Sequence, residues 1–412
     1  MSQLLGDRKL PFSSLRDEGS VTEVASGASY LKSKLAIVTE IIAPYRIPVF
    51  NALAKRSEID LHVIFLAEND PNIRHWHVYK EEIEFRYQVL PSRRWRLGKH
   101  HLLLNRGLRS ALNRAEPDVL LCGGYNYLAS WEAAYWTKAH KVPLLLWSES
   151  TAADTRKQYA PVEGMKSHYL SMCKGFVVPG IASANYLKSL GIPEHRIFTA
   201  PNAVDTERFS RLAVESRLNR SHSADEPSLP SQYFLYVGRL IKAKGVFDLL
   251  HAYAQINGSI RTKVGLVFVG DGKDAPELME RASRIKPGNI CFPGFVHRDG
   301  LAQFYTRGNA LILPTHSDPW GLVVNEAMSC GLPIVATDVA GCVSDLVRND
   351  WNGFVIPPRN SRALAVAMTK LAIDPGLCRH MGSKSGERIK GYSPEAWAAG
   401  IVEASKVACQ KQ

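Results

Sequence analysis

Residues 316–337 read HSDPWGLVVNEAMSCGLPIVAT. Immediately upstream, ALILPT at 310–315 is an apolar run of the kind buried on both faces of a parallel sheet. Leu322–Ser329 carries apolar side chains at helical spacing, and PIVA at 333–336 is a second short apolar run. The stretch therefore reads as a strand, a loop, a helix opening near Gly321 and a further strand. That is the repeating unit of a doubly wound α/β sheet.

The same rhythm extends outward in both directions. Strands are expected at 34–40, 60–66, 86–90, 118–123, 143–148, 175–179 and 196–200, with helical patterns at 46–55, 102–115, 129–140 and 182–190 between them. A second series follows at 233–237, 264–270, 289–292, 310–314, 333–336 and 353–356. Between the series lies RLAVESRLNRSHSADEPSLPSQ, polar and rich in Ser and Pro, which reads as a linker. The expected organisation is a disordered leader over 1–33, a first domain over 34–208, a linker over 209–232 and a second domain over 233–390. A C-terminal helix at 391–412 packs back on the first domain. Two such domains turn the carboxyl edges of their sheets toward one cleft, where folds of this kind bind ligands.

Composition narrows the function classes. A chain of 412 residues with 45% apolar and 22% charged residues suits two globular α/β domains. Apolar runs such as 142–147 fall far short of the ~20 residues needed to span a bilayer. The first thirty residues carry acids and serines and no continuous apolar core, so a secretory signal is not expected and the cytoplasm is. Seven scattered cysteines without a C-x-x-C pair argue against a disulfide framework or a zinc site. The net charge of +12 favours an anionic partner: nucleic acid, an anionic membrane surface or a phosphorylated substrate.

Two motifs carry the chemistry. In FLYVGRLIKAKG a strand ends at Gly238, followed by Arg239 and then Lys244. A planar guanidinium and a compact ammonium on a loop at a strand's carboxyl end suit a diphosphate, although exposed cations also occur with no ligand. In the opening stretch, Asp318 and Glu326 have seven residues between them. At about 1.5 Å per helical residue they stand roughly 12 Å apart, too far for an acid and base acting on one bond. The separation matches the two ends of a nucleotide sugar lying across a helix N-terminus. Glu326 accepts from ribose hydroxyls, Asp318 accepts from the sugar ring, and the amides around Gly321 and Leu322 hold phosphate between them. Asp before Pro is also the pattern of a plain helix N-cap; following the cationic loop, the ligand reading is preferred.

GRLIKAKG, VGDG at 269–272, FPGFV at 292–296 and DPWGLVVNEAMSCGLPIVATDVAG together resemble the C-terminal domain of family 4 retaining glycosyltransferases, which have the GT-B fold. The resemblance extends through PNAVDTERF at 201–209 and IAPYRIPVFNALA at 42–54. It implies two Rossmann-like doubly wound parallel-sheet domains facing a cleft. It also implies that Arg239 and Lys244 bind the donor diphosphate, Glu326 the ribose and the backbone near Phe295 the nucleobase. Transfer then retains anomeric configuration. The family pattern is E-x7-E, and here Asp318 occupies the first position; Ala203 stands where PNGVD often has glycine. No D-x-D pair occurs in the chain, so no metal and no cofactor beyond a UDP- or GDP-sugar donor is expected.

The first domain is expected to take the acceptor, a glycan or lipid-linked hydroxyl. Its first strand-to-helix junction lacks G-x-G-x-x-G, which argues against a dinucleotide cofactor. Pro44, Tyr45 and Arg46 fall at the cleft edge, where Tyr45 stacks on a sugar or packs in the core and Arg46 meets a phosphate. Tyr125 and Glu149 follow strands at that edge; by the resemblance, the Glu149 loop approaches the transferred sugar. At 92–114, Arg93, Arg94, Trp95, Arg96 and Lys99 precede a leucine-rich run. They suit peripheral contact with an anionic membrane or, equally, the solvated back of a core-facing helix. Nucleic acid is set aside because no recognition module accompanies the patch. His75 and His77 show no metal spacing. The leading expectation is a retaining, metal-independent hexosyltransferase of polysaccharide or glycoconjugate biosynthesis. Its rivals are a nucleotide-sugar 2-epimerase of the same form and a non-catalytic nucleotide-sugar-binding protein.

Overall fold

The computed structural model describes residues 32–70, 77–97, 100–153, 160–218 and 229–410. Most of the expected leader (1–31), part of the expected linker (219–228), His75 and Lys99 lie outside the described residues.

The strands of the first lobe are β1 (Ser33–Thr39), β2 (Ile59–Phe65), β3 (Arg86–Val89), β4 (Ser92–Leu97), β5 (His100–Asn105), β6 (Val119–Cys122), β7 (Leu144–Trp147), β8 (Gly175–Val178) and β9 (Ile197–Thr199). Seven of them form a parallel sheet in the order β3-β2-β1-β6-β7-β8-β9. The second lobe has β10 (Tyr233–Val237), β11 (Gly265–Val269), β12 (Ile290–Gly294), β13 (Gly308–Leu313), β14 (Ile334–Thr337) and β15 (Gly353–Ile356), all parallel in the order β12-β11-β10-β13-β14-β15. Strands such as YFLYV and GLVFV are buried at every position because helices cover both faces. In each sheet the strand order reverses once, at β1/β6 and at β10/β13. Such switch points open a crevice at the strands' carboxyl ends, and this positions the site described below.

The Pro394–Cys409 helix crosses back to the first lobe. Ser393 caps it by accepting from the Ala396 amide at 3.3 Å, with Pro394 in the first turn. Trp397 is fully buried, 5.6 Å from Phe50 and 5.2 Å from Trp147 by ring centroids. At Gly400 a Cβ would lie 2.2 Å from the Thr199 carbonyl oxygen, so only glycine lets this helix approach β9 so closely.

Two expectations need correction. The linker span 209–232 opens as the end of a helix, Thr206–Leu218, whose Phe209 and Ala213 are buried. Asp205 caps that helix, its carboxylate accepting from the Arg208 amide at 2.9 Å. The helix expected over 102–115 begins only at Leu108, because Gly107 adopts φ 84° and breaks the run. The preceding leucines belong to β5, which pairs antiparallel with β4, Trp95 opposite Leu102 and Arg93 opposite Leu104. Leu103, on the other face of the hairpin, is 2% exposed in the first lobe's core.

Candidate active site

A cavity of about 560 Å³ opens between the lobes, and it is lined from the second lobe by Gly238, Arg239, Lys244, Phe295, Asp318, Gly321, Leu322 and Glu326. Pro44, Tyr45 and Glu149 line it from the first lobe. The loop after β10 is fixed by its own backbone. The Gly238 amide donates to the Val269 carbonyl at 2.9 Å, and the Tyr236 hydroxyl donates to the Arg239 carbonyl at 2.8 Å. Lys244 closes a short 3-10 turn, Lys242–Lys244, that stops at Gly245 with φ 69°. A Cβ there would fall 1.9 Å from the Pro314 carbonyl oxygen, so this glycine lets the cationic loop press against the end of β13. Arg239 is exposed at the cavity wall.

The loop after β13 delivers the acids. Lys244 Nζ lies 2.5 Å from Asp318 Oδ2 and 3.3 Å from the Ser317 carbonyl oxygen. Asp318 Oδ1 accepts from the Trp320 amide at 3.3 Å, so Asp318 is both a local turn acceptor and the partner of a cation. Gly321, φ 95°, is the N-cap of the Leu322–Ser329 helix, whose first residues line the same cavity. One turn further on, Glu326 accepts from the Tyr305 hydroxyl at 2.6 Å. Burial pushes the Glu326 carboxyl up to about 7, and the Tyr305 hydrogen bond opposes that rise.

The first-lobe candidates divide. Pro44, Tyr45 and Glu149 reach the cavity, whereas Arg46 and Tyr125 do not line it. Arg46 instead supports its neighbours: it donates to Thr39 Oγ1 at 2.9 Å, pairs with Glu149 at 3.4 Å and lies 4.2 Å over the Trp147 ring. Tyr125 packs against the core of this lobe, 5.6 Å from the Tyr169 ring. Arg94 is tied to buried Asp70 at 2.7 Å, while Arg93 and Trp95 project outward, Trp95 at 51% exposure. The Arg96 side chain and all of Lys99 lie outside what is described.

Sequence reasoning missed several residues in the cavity wall or directly behind it. Tyr305, the Glu326 partner, comes from the neighbouring Arg298–Arg307 helix. Trp320 donates to Asn325 at 2.9 Å, and Asn325 donates to the Asn202 carbonyl at 2.8 Å, joining the helix to the PNAVD segment. Tyr79 lies 3.8 Å beneath the Arg298 guanidinium, and Glu82 pairs with both Arg298 and Arg208. Asn202 and Arg208 carried a signal through PNAVDTERF, and Trp320 and Asn325 through DPWGLVVNEAMSCGLPIVATDVAG; the others meet by tertiary contact alone. Among the described residues no group of three or more His, Cys, Asp or Glu is placed to hold a metal ion.

Two parallel α/β lobes closing on a shared cleft are the GT-B fold. The description Glycosyltransferase Family 4 matches residues 50–208, and Glycosyl transferases group 1 matches residues 220–388. The chain belongs to the family 4, group 1, glycosyltransferases. It is 28% identical to a D-inositol 3-phosphate glycosyltransferase of Streptomyces bingchenggensis over 48% of this chain and 45% of that protein. It is 24% identical to a glycogen synthase of Mycobacterium tuberculosis over 72% of this chain and 70% of the synthase. The match therefore spans about half the length of the first of these relatives. Among solved structures, Anabaena Alr3699/HepE in complex with UDP superposes with a TM-score of 0.70 at 17% identity, covering 92% of this chain and 100% of that one.

Proposed function

We propose that this glycosyltransferase moves a sugar from a UDP- or GDP-sugar to a hydroxyl of a glycan or lipid-linked acceptor, with retention of anomeric configuration. The observation that carries the reading is the single cavity in which Arg239, Lys244, Asp318 and Glu326 of one lobe face Tyr45 and Glu149 of the other. Arg239 and Lys244 take the diphosphate together with the amides at Gly321 and Leu322. Ionised Glu326 accepts from the ribose hydroxyls, and the backbone at Phe295 receives the base. Asp318 and Glu149 are within the same cavity for the hydroxyls of the transferred sugar, and Arg46 keeps Glu149 oriented.

The bond from the anomeric carbon to the leaving phosphate oxygen breaks, and the bond to the acceptor oxygen forms on the same face. The acceptor's proton passes to the departing phosphate oxygen. Negative charge growing on the leaving group meets fixed positive charge from Arg239, Lys244 and the helix amides, each such donor being worth about 3 kcal/mol in the transition state. Because the chain's own cations serve the leaving group, transfer proceeds in EDTA. Lys244→Ala and Glu326→Ala should each lower donor-dependent turnover by about a hundredfold or more. Wild-type rates in both variants would overturn the reading. Donor incubated alone should hydrolyse slowly; an epimer appearing by NMR would favour the 2-epimerase instead.

The hairpin of β4 and β5 supports peripheral contact at the cytoplasmic face of a membrane. Its outward face carries exposed Arg93 and Trp95 beside half-buried Leu102 and Leu104. No helix among the described residues is long and apolar enough to cross a membrane.

A further inference from the structure

In the donor reading Lys244 and Asp318 serve different parts of the same ligand, and in the structure they are bound to one another. Their side chains are 16% and 18% exposed, and Lys244 Nζ stands 2.5 Å from Asp318 Oδ2. The Asp318 main chain is tied to the segment at Gly341. Its carbonyl accepts from the Gly341 amide at 2.9 Å, and a Cβ at Gly341 would fall 1.9 Å from the Pro319 carbonyl oxygen. A family pattern with Glu at this position has one more methylene; Asp318 reaches Lys244 with the shorter arm.

We propose that Asp318 is the resident counter-ion of Lys244, displaced by the donor's diphosphate and returned to Lys244 after transfer. The inference rests on the donor reading above. When the diphosphate takes Lys244, the Asp318 carboxylate loses its cation, and the hydroxyls of the attached sugar replace it. The nucleoside diphosphate product carries no sugar, so it offers Asp318 nothing in exchange. Asp318 then competes with the product for Lys244, and the product leaves. The residue thus discriminates donor from product by competing for Lys244 unless a sugar occupies its carboxylate.

Calorimetric titration of the full chain with UDP and with GDP tests this in the wild type, Asp318→Asn, Lys244→Ala and the double variant. Asp318→Asn should bind the better of the two nucleotides about fivefold more tightly, the worth of a modest ion pair. That gain should vanish in the Lys244→Ala background, because the coupling is between these two side chains. Asp318→Ala should reproduce the gain, and both variants should show stronger inhibition by product and a lower kcat. Unchanged or weaker nucleotide binding by Asp318→Asn and Asp318→Ala, with melting temperatures held, would overturn the proposal while leaving the donor reading intact. A wild type that binds neither nucleotide removes the donor reading itself, and this inference with it.

Discussion

Tyr305→Phe removes one oxygen of a residue that does not line the cavity, and its effect can be worked out from the Glu326 site. The Tyr305 hydroxyl donates to Glu326 Oε2 at 2.6 Å, and burial already raises that carboxyl to about 7. A hydrogen bond to a charged group is worth roughly 1.5–3 kcal/mol, and one pH unit corresponds to about 1.4 kcal/mol. Losing the donor therefore lifts the Glu326 midpoint by roughly one to two pH units. At pH 7 the ionised fraction falls from about half to about a tenth or less, and with it the form proposed to accept from the ribose. Nucleotide-sugar affinity measured from pH 5.5 to 9.5 should show an acid limb near 7 in the wild type, displaced upward in Tyr305→Phe and absent in Glu326→Gln. A limb at the same pH in Tyr305→Phe and wild type, or one that survives in Glu326→Gln, would refute the assignment. Stability gives an independent check of sign. The folded value lies above the ordinary carboxylate value, so folding favours the protonated form. The contribution is complete below the unfolded value and is lost as pH rises through about 7. Glu326→Gln should flatten that part of the dependence of melting temperature on pH.

Three further outcomes are expected. Gly245→Ala places a Cβ 1.9 Å from the Pro314 carbonyl oxygen at φ 69°, so it should cost at least about 2 kcal/mol by denaturant unfolding and depress nucleotide binding as the cationic loop shifts. Trp397→Ala empties a fully buried site between Phe50 and Trp147; it should cost about 3–5 kcal/mol, with amide exchange rising first along Pro394–Cys409. Arg93→Glu with Trp95→Ala should reduce sedimentation with anionic vesicles severalfold; recovery of this double variant equal to that of the wild type would remove the membrane assignment.

Much of the fold was legible in the chain because burial on both faces of a parallel sheet demands continuous apolar runs. ALILPT, PIVAT and FLYVG announce their strands without help from distant residues. The cationic loop and spaced acids were legible for a similar reason: Gly238, Arg239, Lys244, Asp318 and Glu326 lie within two local strand-to-helix junctions. The hairpin at 92–105 misled because HHLLLN, taken with the leucine and arginine repeat after it, fits a helical period, and only the break at Gly107 separates them. The helix at Thr206–Leu218 was obscured by polar residues covering a narrow stripe of Phe209 and Ala213.

What the sequence determined by itself was the succession of strands, the two-lobe plan and the identity of the charged groups near the cleft, since each follows from local periodicity or from residue type at a junction. The tertiary structure alone decided which groups meet: that Lys244 holds Asp318, that Tyr305 serves Glu326, that Arg46 braces Glu149 outside the cavity, and that Trp397 locks the end of the chain into the first lobe. Those pairings join residues on separate elements, and their energies depend on distance and burial, neither of which a linear order encodes.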